Sequence, residues 1–499
     1  MLPSPRSDLI SNTFAYENTP LVKATGFREY DARWVLGPDL NLLGVEALGL
    51  GLGTYIHERG ERRIVVGHDF RSYSLSVKQA LTIGLVSAGC EVLDIGLCLS
   101  PTAYFAQFDL AAPCVAMITA SHNENGWTGV KMGAAPPVTF GPEEIGRLKD
   151  IVLGATFETR PGGSLTHVQG MAERYIADAA SRCTLTRPLK VLCACGNGTA
   201  GAFAPEALRR MGAEVIPMDC DLDWTFPRYN PNPEDLEMLH SMAEMVRSHG
   251  ADLALGFDGD GDRCGVVDDE GEEIFADKIG LMLARDLAPL HPGAKFVVDV
   301  KSTGLYATDD VLAANGATTI YWKTGHSYIK RKTAEIGALA GFEKSGHFFF
   351  NAPLGRGYDC GLTAAAAILA MMDRNPAKKL SDLKRGLPVA YTSMTMSPHC
   401  ADEVKYATVD AVVEEYQALA AAGGKILGRA ISDVITVNGV RVALEDGSWV
   451  LVRASSNKPE IVVVVESTRS EDDMRALFRD EVKPRLGRRP EVGAYNQQV

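Results

Sequence analysis

A chain of 499 residues, 46% apolar and 23% charged, has the composition of an ordinary globular protein and is too long for one core, so three or four domains are expected. Its net charge of −13 excludes a general binder of nucleic acid or anionic membranes, and any anionic ligand must meet a local concentration of Lys and Arg. Ten cysteines without a CxxC pair, Cys193 and Cys195 among them on one expected strand, read as reduced core thiols; with no basic-then-apolar leader at Met1–Asp8 and no apolar run near the ~20 residues of a membrane span, a cytoplasmic protein is expected.

In chain order, the segment from Gly26 to Arg33 mixes charge with aromatic side chains and by itself reads no differently from a solvated turn. A strand at Arg63–Gly67 leads through His68-Asp69-Phe70-Arg71-Ser72 into a helix over about 75–88, which Gly89 stops, and Glu91–Ile95 begins another strand. Strand, helix and strand at this spacing predict a layered α/β domain. The apolar strand Cys114–Ile118 then delivers Thr119-Ala120-Ser121-His122-Asn123, with Gly126, Gly129 and Lys131 beyond. Loops at the carboxyl ends of parallel strands are where α/β folds place chemistry. Ser121 could equally cap a helix, and it lacks the Gly-x-Ser-x-Gly elbow of a hydrolase nucleophile. Arg160–Ser164 reads as a linker.

A second unit opens with a helix over 171–181 and a strand at Lys190–Ala194. Gly196-Asn-Gly-Thr-Ala-Gly201 follows, a GxGxxG turn, with Asp219 where a ribose-binding acid would sit. The unit runs on without a second mononucleotide half, so close packing explains the glycines better than a dinucleotide does. It runs into Gly256-Phe257-Asp258-Gly259-Asp260-Gly261-Asp262-Arg263, directly after the apolar Leu253–Leu255. Alternation on an extended strand would splay the carboxylates, but Gly259 and Gly261 let the backbone curl so that Asp258, Asp260 and Asp262 converge. Three converged anions need a cation, and hard carboxylate oxygens suit Mg²⁺. An EF-hand is excluded because its sixth position is Arg263 and its twelfth is Asp269, and because the flanks read as strands.

Three further strands, Lys295–Val300, Thr318–Trp322 and Ala338–Gly341, each end in polar groups: Lys301-Ser302-Thr303, Lys323 to Ser327 with His326, and Phe342-Glu343-Lys344-Ser345-Gly346-His347. Such side chains can hydrogen-bond sugar hydroxyls. After Leu387-Pro388 the pattern changes to a helix over 401–422 and strands near 433–437, 440–443, 449–452 and 461–465, with turns at Asn438-Gly439 and Asp446-Gly447. The loop Arg453-Ala-Ser455-Ser456-Asn457-Lys458-Pro459, held by an apolar strand at each end, suits a phosphate.

Thr119–Asn123, Asp258–Arg263, Phe342–His347 and Arg453–Pro459, in this order, resemble the phosphoserine, metal, sugar and phosphate loops of the α-D-phosphohexomutase family, in its bacterial phosphomannomutase/phosphoglucomutase branch. The sequence departs from the family pattern at Trp34, Glu124, Phe342 and the order Ser455-Ser456-Asn457. The resemblance implies an α/β protein of three similar α/β units with mixed sheets plus a C-terminal α+β domain, four domains around a central cleft. The divisions expected are 1–164 for phosphoserine, 165–271 for metal, 272–387 for sugar and 388–499 for phosphate. It implies a phosphohexomutase that moves phosphate between O1 and O6 of mannose or glucose through phospho-Ser121 and a sugar 1,6-bisphosphate. A phosphoglucosamine-type mutase is the alternative substrate reading. Mg²⁺ would be held by Ser121, Asp258, Asp260 and Asp262. Arg263 would steady the transferring group, with Lys131, Arg33 and His347 as candidates for proton management. Tyr30, Lys301, His326, Glu343 and Ser345 would contact the sugar, and Arg453, Ser455, Ser456, Asn457 and Lys458 the non-reacting phosphate. A monomer or homodimer is expected.

Overall fold

A computed structural model describes residues 2–455 and 458–498. Ser456 and Asn457, expected in the phosphate loop, lie outside the described residues. The chain divides into two compact units, one of residues 1–276, 333–335 and 345–381, the other of 277–332, 336–344 and 382–499.

The first unit holds two mixed sheets. Six strands form the first: β1 (Ala32–Val35), β2 (Arg63–His68), β3 (Glu91–Leu97), β4 (Cys114–Ile118), β5 (Trp127–Gly133) and β6 (Ser164–His167), in the order β1-β5-β4-β2-β3-β6. β2 pairs in parallel with β3 and β4, and β6 adds in parallel to β3, so the linker expected at 160–164 runs straight into an edge strand. β5 is antiparallel to both β4 and β1. The charged segment 26–33 is no solvated turn, because it delivers β1 and buries Trp34 against Phe27, ring centroids 5.1 Å apart. The indole N–H donates to Lys23 O at 2.8 Å, which is how so large a polar ring is buried at no loss.

The helices Leu42–Glu58 and Ser74–Ser87 cover one face of this sheet. Their glycines look like helix breakers, yet they are contact points. A Cβ on Gly49 would stand 2.2 Å from Leu81 O, and one on Gly84 2.2 Å from Glu46 O, so the two backbones touch where only hydrogen fits.

The second sheet runs β11-β10-β9-β7-β8, from β7 (Lys190–Ala194), β8 (Glu214–Met218), β9 (Leu253–Phe257), β10 (Cys264–Asp268) and β11 (Glu273–Ile274). β7 is parallel to β8 and β9; β9 and β10 form an antiparallel hairpin whose connection is the three-aspartate loop. The helix Leu236–His249, capped by Asp235 and stopped by left-handed Gly250, lays Met238, Met242 and Val246 on this sheet.

In the second unit β12 (Lys295–Asp299) lies between β13 (Thr318–Trp322) and β14 (Ala340–Phe342), all parallel. An antiparallel sheet follows, ordered 391–392, 461–467, 449–454, 440–444, 429–435 and 425–426, with the helix Lys405–Ala421 packed on it. Buried Arg441 joins the two parts: its Nη1 donates to Val300 O at 2.6 Å and to Ser302 O at 2.7 Å, while its guanidinium lies 4.1 Å from the Tyr321 ring and 3.7 Å from that of Trp449. Beside it Glu466, fully buried, accepts from Thr303 Oγ1 (3.0 Å), the Gly304 N–H (2.7 Å), Trp449 Nε1 (2.9 Å) and Thr392 Oγ1 (2.5 Å). No described helix is long and apolar enough to cross a membrane.

Candidate active site: three carboxylates against a serine loop

The hairpin between β9 and β10 curls as its glycines require. Gly261 is left-handed (φ +72°), and Asp258, Asp260 and Asp262 offer oxygens within 4.8 Å of one another. All three are fully buried. Burial, then repulsion from Asp260 and Asp262, pushes the Asp258 carboxyl well above the usual carboxylate range. Asp260 takes Ser100 Oγ (2.6 Å) and Lys131 Nζ (2.7 Å) on Oδ2, and Lys131 also bridges to Asp262. Asp260 Oδ1 is buried and accepts no hydrogen bond among the described residues. A cluster of hard oxygens with anionic charge to spare and one unsatisfied ligand atom fits a small divalent cation.

Ser121 stands at this cluster. It is buried and left-handed (φ +52°), a conformation that costs a non-glycine residue about 1–2 kcal/mol and persists only where neighbours enforce it. Thr119 Oγ1 accepts the Ser121 N–H at 2.8 Å, and Arg71 Nη2 donates to Ser121 O (2.9 Å) and Asn123 O (2.6 Å). The result aims Ser121 Oγ at Asp258 Oδ2, 3.1 Å away, with His122 Nδ1 at 3.2 Å. A Cβ on Gly259 would stand 2.5 Å from Ser121 O, so the two loops touch backbone to backbone. Burial, then the Arg263 and Arg33 charges, holds the His122 imidazole well below its usual range and therefore neutral.

Around this pair the first unit gathers the other residues expected at the reaction centre. The Arg263 N–H donates to Asp258 Oδ1 (3.2 Å), and its Nη1 donates to Glu234 Oε2 (3.2 Å). His347 reaches the cluster because Cys264 N donates to Gly346 O at 3.0 Å; its Nε2 is 3.3 Å from Asp262 Oδ1 and its Nδ1 3.0 Å from Ser345 Oγ. Arg33, on edge strand β1, pairs with Asp31 at 2.8 Å and donates to Asn123 Oδ1 at 3.2 Å, with Tyr30 just before it. Although burial opposes it, Asp31 holds the Arg33 charge in place, and Asp260 and Asp262 likewise hold the Lys131 amine well above its usual range.

Lys301, His326 and Glu343 belong to the second unit, at the carboxyl ends of β12, β13 and β14. The same unit carries Arg453, whose Nη1 donates to Ala454 O at 2.9 Å, and Ser455, whose Oγ accepts the Lys458 N–H at 3.3 Å.

Sequence reasoning gave no role to Asp69 and Arg71, which build the serine loop: Asp69 accepts the Ala120 N–H (3.3 Å) and the Arg71 N–H (3.2 Å). Their position at the end of a parallel strand was the available signal. The GxGxxG turn also gains an explanation. A Cβ on Gly198 would meet Gly259 Cα at 3.1 Å, Thr199 N donates to Gly259 O at 3.2 Å, and Thr199 Oγ1 accepts the Phe70 N–H at 3.0 Å. Its glycines bring the turn against the aspartate loop.

A left-handed serine held against a buried carboxylate cluster suits phosphoryl transfer to and from a hydroxyl. Profiles described as phosphoglucomutase/phosphomannomutase alpha/beta/alpha domains I, II and III and the C-terminal domain match residues 24–159, 173–271, 275–391 and 402–483. The chain belongs to the phosphoglucomutase/phosphomannomutase family. It is 34% identical over 466 residues, 93% of this chain and 96% of the relative, to a phosphomannomutase/phosphoglucomutase of Pseudomonas syringae pv. tomato. A probable phosphoglucosamine mutase of Methanothermobacter thermautotrophicus is 31% identical, over 83% of this chain and 88% of its own. A crystal structure of a family protein from Burkholderia thailandensis superposes with TM-score 0.83 at 30% identity, over 94% of this chain and 98% of its own.

Proposed function

We propose that this enzyme interconverts hexose 1-phosphate and hexose 6-phosphate, with mannose and glucose phosphates as substrates, through a phosphorylated Ser121. The observation that carries this is Ser121 Oγ held 3.1 Å from Asp258 Oδ2 at the edge of a buried three-carboxylate cluster. Mg²⁺ held by Asp258, Asp260, Asp262 and the serine's phosphate would supply charge neutralisation and polarise phosphorus. The phosphoryl group leaves Ser121 Oγ for the free sugar hydroxyl, whose proton passes to a protein base while Ser121 Oγ takes up a proton as it leaves. The 1,6-bisphosphate then reorients, its other phosphoryl group returns to Ser121 Oγ, which gives up its proton, and the sugar oxygen left behind receives a proton from the protein. Lys131, Arg33 and His347 all stand at the cluster and are the candidates for taking and returning the proton. Arg263 balances charge on the moving phosphoryl group.

In this reading residues 1–164 carry the phosphoserine, 165–271 the metal, 272–387 the sugar contacts and 388–499 the phosphate contacts. Tyr30, Lys301, His326, Glu343 and Ser345 hold the sugar. Arg453, Ser455 and Lys458, with Ser456 and Asn457, hold the second phosphate. The enzyme works in the cytoplasm as a monomer or homodimer, with a sugar 1,6-bisphosphate as activator. A glucosamine phosphate is the second reading, favoured by the 31% identity to a probable phosphoglucosamine mutase. Initial rates of 1-phosphate to 6-phosphate conversion for mannose, glucose and glucosamine phosphates, with Mg²⁺ and trace bisphosphate, test both. Turnover of mannose and glucose compounds that collapses in Ser121→Ala supports the proposal. Turnover of the glucosamine compound alone overturns the substrate, and none with any sugar overturns the reaction.

A further inference from the structure

Three cysteines that this chemistry does not use converge in the second sheet. Cys193 lies on β7, Cys195 one residue past its end, and Cys220 two residues past the end of the parallel neighbour β8. Period-two alternation puts Cys193 and Cys195 on one side of their strand, and the left-handed Asp219 (φ +50°) breaks the alternation after β8, so that the Cys220 thiol turns to the same side and donates to Cys193 O at 3.3 Å. The Cys193 and Cys195 sulfurs are 3.8 Å apart, those of Cys195 and Cys220 3.6 Å apart, and all three lie within 4.8 Å of one another. Among the described residues no other cysteines form such a trio.

A tetrahedral cation with metal–sulfur bonds of ~2.3 Å sets its ligand sulfurs ~3.8 Å apart, which two edges of this triangle match, the third lying within 4.8 Å. Access is also present. Cys193 and Cys195 are buried, but Cys220 is partly exposed, on the loop after β8. Thiolates select soft or borderline cations, as the aspartate cluster selects hard ones.

We propose that Cys193, Cys195 and Cys220 form a second, soft metal site that binds one Zn²⁺ or Cd²⁺ ion as three thiolates, with the fourth position open to water through Cys220. Binding releases the three thiol protons to solvent. The site is not isolated from the reaction centre. The turn that leaves Cys195 donates Thr199 N to Gly259 O (3.2 Å) and accepts the Phe70 N–H on Thr199 Oγ1 (3.0 Å). A cation on the three sulfurs therefore stiffens the turn that supports both the aspartate and the serine loops.

The test is a Cd²⁺ titration of the full chain in excess Mg²⁺ with a non-thiol reductant, followed by thiolate-to-cadmium charge-transfer absorbance and by thermal melting. The result expected is one Cd²⁺ per chain, with a raised melting temperature. Affinity falls at least ~10-fold in Cys220→Ser and in Cys193→Ala, and is unchanged in Cys400→Ser, which lies in the C-terminal part. Partly exposed Cys220 makes its serine variant the one that keeps the fold. A titration without a one-to-one end point, or an end point that survives Cys220→Ser, overturns the site. A peptide cross-linked between Cys195 and Cys220 in protein isolated with all metals removed overturns it in favour of a disulfide pair.

Discussion

The chain buries carboxylates in two places and treats them in opposite ways. Glu466, in the second unit, is saturated: burial alone would raise its carboxyl, but Lys278 at 3.6 Å, Thr392, the Gly304 N–H and Trp449 outweigh burial and hold it down to about 2. Asp258, in the first unit, has a neutral donor on each oxygen, Ser121 Oγ and the Arg263 N–H, and these do not outweigh burial and two neighbouring aspartates, which drive its carboxyl up. Both sites are equally dry. The difference is in who supplies the compensating charge: the fold itself at Glu466, and in part something brought from solution at Asp258, Asp260 and Asp262. Saturation marks a carboxylate kept for structure, and a deficit marks one kept for chemistry.

The largest effect expected is at the serine. Ser121→Ala should lower mutase turnover by about 10³-fold or more with little change in melting temperature, which steady-state rates and calorimetry on the same sample will show. Next, Asp258→Asn should cut turnover by about 10²-fold or more while raising the melting temperature of the protein in chelator. A raised carboxyl contributes stability that is fully present below the unfolded value near 3.8 and lost as pH rises through the folded one, so at neutral pH its ionised form is a burden. Adding Mg²⁺ should stabilise the native protein and much less the variant. If Asp258→Asn melts lower than native in chelator, the contrast between the two sites fails.

Glu466→Ala should do the reverse, costing about 3–5 kcal/mol of stability by stranding Lys278 and the other donors, read by urea unfolding of the second unit's signal. Because its carboxyl is depressed, this contribution is present above the unfolded value near 4.5 and lost as pH falls towards about 2, so native protein, and not the variant, should lose it across that window. The smallest effect is at the helix contact. Gly84→Ala improves helix propensity yet should cost about 1–3 kcal/mol, because the added methyl has backbone in its way.

Much of this was legible before any coordinates. The aspartate loop, the strand that delivers Ser121 and the antiparallel C-terminal sheet all follow from short-range patterns, glycines between acids or apolar runs ended by turns. What escaped depended on partners far apart in sequence. Nothing local distinguishes Arg71 from a surface arginine until Ser121 and Asn123 fold onto it. The charged run before β1 looks solvated until Trp34 finds Phe27 and Lys23. The glycines of helix Leu42–Glu58 read as weakness until the second helix lies against them. GxGxxG misleads for the same reason: the pattern encodes close approach, and only the neighbour says to what.

Arg441 carries a mechanical consequence. The carbonyls it grips, Val300 O and Ser302 O, flank Lys301, and its own strand position pairs with Leu451, two residues before Arg453. The turn after β12 and the strand Trp449–Ala454 are thus fastened at one rivet, so a change at Arg441 would reach Lys301 on one side and Arg453 on the other.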